Sequence, residues 1–177
     1  MARLRWATSH GMLGVRAETA DDTVFLFGLY AATRAADFAA LPEAQRDQLL
    51  HMQFRAMRTG YRRDYPTARF EVVMLDETPI GNIITELTPE RVLYVDIAFL
   101  PEVRRLGLAT ELMRALLKEP AALGIPAQVS VIMHNTASLA LCRRLGFRLH
   151  AEQPPVVILR WTASVPPGMN PQPPQAA

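Results

Sequence analysis

The sequence predicts an α/β fold in one domain, with a mixed, mostly antiparallel sheet flanked by helices. Three observations lead there. From Phe70 to Leu100 the apolar residues fall into three strand-length segments separated by turn residues. Before those segments, and again after Leu108, apolar residues recur at helical spacing instead. Between the third segment and the second helical region stands Arg104-Arg105-Leu106-Gly107-Leu108-Ala109, a short turn that carries the chain from strand into helix. A length of 177 residues and a hydrophobic content of 50% suit one such domain with a real core, and leave little room for a second. The domain is expected over 12–162 and a proline-rich, disordered tail over 164–177.

In chain order, Met12 to Glu18 forms a first short strand, and Thr19, Asp21 and Asp22 offer capping side chains for a helix starting near Thr23. Phe25, Leu29, Ala32 and Ala36 mark that helix, which must stop or restart at Leu41-Pro42. After Pro42 a second helix carries the stripe Leu50, Phe54, Met57 and Tyr61, with Arg46, Gln53, Arg55 and Arg58 off that line. Then come Phe70 to Leu75, Ile80 to Leu87 and Val92 to Leu100, an antiparallel meander. Only Asp96 interrupts the third segment, so that strand is central and covered on both faces. Helix 108–117 buries Ala109, Leu112, Met113 and Leu116, Pro120 kinks its last turns, and Gly124 ends it. Ala127 to Met133 follows as a strand beside the third meander strand. Asn135 caps a helix ending at Gly146, and Arg148 to Glu152 pairs with Val156 to Trp161.

Composition narrows the function. A net charge of +2 is too small for a nucleic-acid surface, and one cysteine, Cys142, cannot form an intrachain disulfide. No stretch approaches membrane-spanning length, so neither nucleic acid nor membrane is expected as a partner and the cytoplasm is the default location. No cluster of His, Cys and acids has metal-ligand spacing, so no metal is expected.

The turn at Arg104 has the makings of a phosphate cradle. The first N–H groups of a helix lack intrahelical acceptors and lie at the positive end of its dipole. Gly107 and Ala109 lack bulk where a pyrophosphate would approach the main chain, and Arg104 and Arg105 add charge beside it. A strand-to-helix join with no ligand would carry the same signature.

Arg-x-x-Gly-x-Ala after a strand ending at Leu100-Pro101 resembles the acyl-CoA pyrophosphate loop of the GNAT superfamily of N-acyltransferases. Downstream, Asn135-Thr136-Ala137-Ser138-Leu139-Ala140-Leu141-Cys142-Arg143-Arg144-Leu145-Gly146-Phe147 is similar to that family's later helix, Asn-x-x-Ala-x-x-x-Tyr-x-x-x-Gly-Phe, with Ser138 and Cys142 as departures. The resemblance covers about Gly14 to Trp161 and implies a parallel strand pair that splays apart around a bulge, with pantetheine in the gap. It implies acetyl-CoA as co-substrate and direct transfer of the acetyl group to a primary amine of a small molecule or peptide. The alternatives are a CoA-binding module without turnover and acetylation of a protein amino group. A homodimer is common among such proteins, and the sequence neither requires nor forbids one.

Carried residue by residue, the resemblance implies that backbone near Ile97, Ala98 and Phe99 meets pantetheine and the thioester. Val103, Arg104, Arg105, Leu106, Gly107, Leu108, Ala109 and Thr110 would hold the pyrophosphate, with Asn135 and Ser138 adding contacts from the later helix. An attacking amine must be neutral, so a base is needed, and Asp96 is the natural group; it would otherwise pair with neighbouring loops or an arginine. Glu86, His134 and His51 are weaker candidates. Cys142 stands where relatives place a tyrosine that protonates the departing thiolate, and either acts in its stead or fills apolar space; Tyr94 or Tyr61 are substitutes for it. Acceptor specificity falls to the first two helices, which offer Tyr30, Arg34, Arg58 and Tyr61, together with Gln53, Arg62 and Tyr65. Their basic residues either hold an anionic group of the acceptor or solvate a helix face.

Overall fold

A computed structural model describes residues 2–163. The tail for which the sequence predicts disorder lies outside the described residues. Eight strands form one sheet in the order β1-β2-β3-β4-β5-β6-β8-β7. They are β1 (Ala2–Thr8), β2 (Gly11–Ala17), β3 (Arg69–Leu75), β4 (Thr78–Leu87), β5 (Val92–Phe99), β6 (Ala127–Ile132), β7 (Arg148–Gln153) and β8 (Val156–Trp161). Five α-helices accompany them: α1 (Thr23–Arg34), α2 (Glu43–Asp64), α3 (Leu108–Leu116), α4 (Lys118–Leu123) and α5 (Thr136–Arg144). None is long and apolar enough to cross a membrane.

The expected meander, the strand at Ala127 and the final strand pair are all present, and β5 is central. Two expectations need correction. The sheet begins before Met12, because Ala2–Thr8 pairs antiparallel with β2 and packs Leu4 and Trp6 against the core. Two apolar side chains alternating with Arg3 and Arg5 are a weak period-2 signal, and neighbouring β2 supplies the hydrogen bonds that make it a strand. The first helix also ends early, at Arg34, and continues only as a 3-10 turn over Ala35–Phe38. Between Leu29 and Phe38 no large aliphatic side chain is available to hold the helix on the sheet.

The break near Pro120 falls at Leu117, between α3 and α4. Proline has no N–H for the carbonyl of Leu116 and its ring crowds that carbonyl, so a straight helix cannot pass. Gly124 ends α4 with a left-handed φ of 68°, as the sequence predicts.

The larger core joins the sheet to α3 and α5 through Leu108, Leu112, Met113, Leu116 and Cys142. Leu26 and Leu29 of α1, Leu50 and Phe54 of α2, and Val72, Ile84 and Leu93 of the sheet are buried as well, outside that larger core. Strand β5 serves both faces, and its alternation slips once. Thr85 pairs with Tyr94 but Ile84 pairs with Asp96, so Val95 is an extra residue, a bulge. Val92 and Tyr94 before it, and Ile97 and Phe99 after it, all contact the larger core, while Asp96 and Ala98 turn toward α1 and α2.

The bulge coincides with the end of the one parallel pairing among the described strands. Strands β5 and β6 pair from Val92–Ala127 to Tyr94–Val129 and no further, after which β6 continues against β8 and β5 against β4. Gly81 lets β4 stay close to the freed half of β5: a Cβ there would lie 2.4 Å from the Ala98 carbonyl oxygen.

Candidate functional site

Past the bulge, the freed end of β5 leads through Leu100 and the 3-10 turn Pro101–Val103 to the loop that starts α3. Two residues of that loop are left-handed, Arg105 at φ 65° and Gly107 at φ 81°. Gly107 is the N-cap of α3 and supplies no side chain to its first N–H groups; its carbonyl takes those of Thr110 and Glu111, which leaves those of Leu108 and Ala109 for an external acceptor. An alternation of left- and right-handed residues turns successive N–H groups to one side, a concavity suited to an anion.

Leu108 keeps the loop in place. Its side chain is 1% exposed, and burying it contributes about 1.5–3 kcal/mol, which offsets the roughly 1–2 kcal/mol of a left-handed non-glycine residue at Arg105. Leu108 can therefore serve a ligand only through its backbone. Arg104 Nε donates to the Phe99 carbonyl at 3.3 Å, folding the side chain back on the end of β5. Arg104, Arg105, Leu106 and Gly107 are exposed, whereas Val103, Ala109 and Thr110 are half-buried. Among the described residues a Cβ on Gly107 would meet nothing within 4 Å, so they leave the space over the loop open.

A second hollow lies on the other side of β5. Asp96 and Ala98 form its floor with Asn82 of β4, and α1 and α2 wall it with Leu26, Leu29, Tyr30, Arg34, Arg58 and Tyr61. The Asp96 carboxyl is raised from its ordinary value, first by burial, while the Asn82 amide, Arg58, the Ile97 amide and Arg34 pull the other way. Asn82 Nδ2 donates to Asp96 Oδ2 at 2.9 Å and so fixes the orientation of the carboxylate. Burial, and then the charge of Asp96, push the Tyr61 phenol up to about 12, so it stays neutral beside that carboxyl. All four residues named from the sequence for the acceptor side, Tyr30, Arg34, Arg58 and Tyr61, line this hollow together with Asp96.

Two residues here have no part in the sequence argument. Asn82 is one, 6% exposed in an apolar strand; its signal is a lone amide between Gly81 and Ile83 on the face that Asp96 shares. Glu18 is the other. It takes Nη2 of Arg58 on both oxygens and Nη2 of Arg62 at 2.9 Å, tying the end of β2 to α2. Nothing local reveals those pairs, because the partners are 40 and 44 residues apart.

Asn135 Oδ1 accepts the Ser138 backbone N–H at 3.1 Å, so the Asn135 side chain is the cap of α5 and Ser138 is half-buried behind it. Cys142 lies in the larger core, 6% exposed, and burial pushes its thiol up to about 11. Such a thiol is a weak proton donor in a dry setting. Cys142→Ala is accordingly expected to keep most of any transfer activity, measured as turnover at saturating acetyl donor with melting temperature followed in parallel; a loss of a hundredfold or more in a folded variant would make the thiol the proton donor. Tyr94 is buried on the core face, near Arg69 and Glu119, with its hydroxyl unpartnered among the described residues. His51 stacks on Phe27 with centroids 3.6 Å apart, His134 is exposed, and Glu86 accepts a bond from the Thr67 hydroxyl at 3.2 Å. None of these last three lines the hollow with Asp96.

Comparison with solved structures places the fold. The PaiA N-acetyltransferase of Thermoplasma acidophilum, in complex with coenzyme A, superposes with a TM-score of 0.66 at 14% identity, over 85% of this chain and 98% of that one. The N-acetyltransferase PseH of Campylobacter jejuni, in complex with acetyl coenzyme A, gives 0.57 at 16% identity over 86% and 99%. The ribosomal-protein-S18-alanine N-acetyltransferase of Escherichia coli gives 0.58 at 14% over 88% and 96%. No curated protein matches the sequence. The model of the acetyltransferase (GNAT) family matches residues 29–147, more than half of the chain and a span holding both sequence motifs, the bulged β5 and the loop of Gly107. The chain belongs to the acetyltransferase (GNAT) family.

Proposed function

We propose that the protein is an N-acetyltransferase that moves an acetyl group from acetyl-CoA directly to a primary amine. The observation that carries this reading is the parting of β5 from β6 after Tyr94–Val129, with the Gly107 loop at the open end and Asp96 across the strand. A pantetheine arm in that gap meets unpaired backbone of β5 near Ile97, Ala98 and Phe99, as an added strand would. Its pyrophosphate rests on the N–H groups of Arg105 to Ala109, since those of Val103, Arg104 and Thr110 donate to the carbonyls of Leu100, Pro101 and Gly107, and each charge-assisted bond contributes about 1.5–3 kcal/mol.

The amine approaches from the hollow between α1, α2 and the sheet. Its nitrogen forms the new C–N bond as the C–S bond of the thioester breaks, and a β5 backbone N–H stabilises the oxygen that becomes anionic between. Asp96 takes the proton that the nitrogen sheds, directly or through one water. CoA departs as thiolate and is protonated by solvent, with Cys142 serving the core.

The test has two arms. Acetyl-CoA at about a hundred times its dissociation constant should add about 2.7 kcal/mol of stability. For a domain of this size that is roughly 5–10 °C in melting temperature, with NADH and ATP doing much less. A panel of free amines and peptides, read by mass spectrometry, should then show acetylated product. Equal shifts with all three nucleotides would overturn the cofactor assignment, and a shift without product from any amine would leave a binding module rather than an enzyme.

A further inference from the structure

The hollow presents two guanidinium groups, and they are engaged differently. Arg58 is locked by Glu18, the two side chains being 13% and 11% exposed, and Arg62 shares the same carboxylate. Two guanidinium groups on one carboxylate leave positive charge in excess along that wall. Arg34, at the end of α1, is paired among the described residues with Asp37, which does not line the hollow. Its Nη1 lies 3.3 Å from Asp37 Oδ2, with the side chains 47% and 55% exposed. An exposed pair at this spacing contributes little, so an arriving anion displaces Asp37 readily. The Arg34 guanidinium stands 5.9 Å over the Tyr30 ring, and the Tyr30 hydroxyl is tied to Gln53 Oε1 at 3.1 Å. The arginine thus leans on an aromatic ring that is itself fixed.

Asp96 lies on the floor, with Asn82 orienting it. Between floor and rim the walls are apolar, from Leu26, Leu29, Phe54 and Met57. Resting on the transferase reading above, we infer that the acceptor is a zwitterion, a primary amine with an apolar body and its own carboxylate, the carboxylate held by Arg34 and the amine directed at Asp96. The planar fork of arginine matches the two oxygens of a carboxylate, which an ammonium group does not. A diamine would set its second cation against Arg34 and Arg58. A peptide N-terminus brings no carboxylate beside its amine, and a plain alkylamine leaves the arginine unused.

The experiment measures acetyl transfer to a matched set: an apolar amino acid, its amide, the same amine without the carboxyl group, and a diamine. Each is run with wild type, Arg34→Gln and Arg34→Lys, and binding of the amino acid and its amide in the presence of CoA is measured by calorimetry. The amino acid is expected to exceed its amide in kcat/KM by about 10–100-fold, the equivalent of one charge-assisted bond, with the difference in KM. Arg34→Gln should raise KM for the amino acid by about the same factor, leave its kcat nearly unchanged and leave the amide unaffected. Arg34→Lys should recover only part of the loss. Equal rates for amino acid and amide in wild type, a faster diamine, or a loss in Arg34→Gln shared by acid and amide would overturn the zwitterion while the transferase reading stands. Absence of product from every amine, with acetyl-CoA still raising the melting temperature and no amino acid bound in calorimetry, would overturn both.

Discussion

Replacing Asp96 by asparagine is expected to lower kcat by about 10²–10⁴ while leaving acetyl-CoA affinity nearly unchanged. The isosteric amide keeps a partner for Asn82 but cannot accept the proton that the amine sheds. Groups from every packed element face this carboxyl: Arg34 from α1, Arg58 and Tyr61 from α2, and Asn82 from β4. Burial wins over the hydrogen bond and the two arginines, and the carboxyl is raised. A base must be unprotonated, so the acid limb of kcat/KM should lie at a higher pH than an ordinary carboxylate gives, and it should vanish in Asp96→Asn. Tyr61 does not compete for that limb, since its phenol titrates at about 12.

Stability gives an independent check with a definite sign. Because the folded state holds the Asp96 proton more tightly than the unfolded chain, the contribution is fully present below the ordinary value of 3.8 and is lost as pH rises through the raised folded value. At neutral pH the buried charge is therefore a cost, and Asp96→Asn should melt no lower than wild type. A variant that is inactive and markedly less stable would assign Asp96 a structural role, and a stable, fully active one would remove it from the chemistry.

What the sequence made legible follows from range. The Gly107 turn, the Asn135 cap, the Gly124 stop and the meander are set by residues within a few positions of one another, and each is where the local pattern puts it. The hollow was half legible. Tyr30, Arg34, Arg58 and Tyr61 are polar or aromatic groups on the two helices and Asp96 stands out in an apolar strand, so their types are readable, but of the four only Tyr61 falls on a stripe that the apolar pattern marks. Their partners are not readable. Glu18 grips Arg58 and Arg62 from just past the end of β2, and Asn82 reaches Asp96 across a strand pair whose register depends on the bulge at Val95. One extra residue decides which face Asp96 takes, and no local pattern in Val92 to Leu100 announces it. The same limit hid β1, whose two apolar residues become a strand only once β2 is beside them.

Gly107→Ala is expected to raise the dissociation constant for acetyl-CoA by about 10–100-fold, the equivalent of losing one or two charge-assisted bonds from backbone N–H groups. The new methyl group stands in open space over the loop, where the pyrophosphate would lie against the main chain. It also strains the backbone, since φ is 81°, at a cost of about 1–2 kcal/mol and a few degrees of melting temperature. A loss of affinity alone would therefore be ambiguous, and Gly124 removes the ambiguity. It is left-handed too, at φ 68°, with nothing within 4 Å of an added Cβ, but it ends α4 and belongs to no part of the loop. Gly124→Ala should lose stability as Gly107→Ala does and keep wild-type affinity for acetyl-CoA in calorimetry. If both variants bind as wild type does, the loop is only a join between strand and helix; if only Gly107→Ala fails to bind, the N-terminus of α3 is where the pyrophosphate rests.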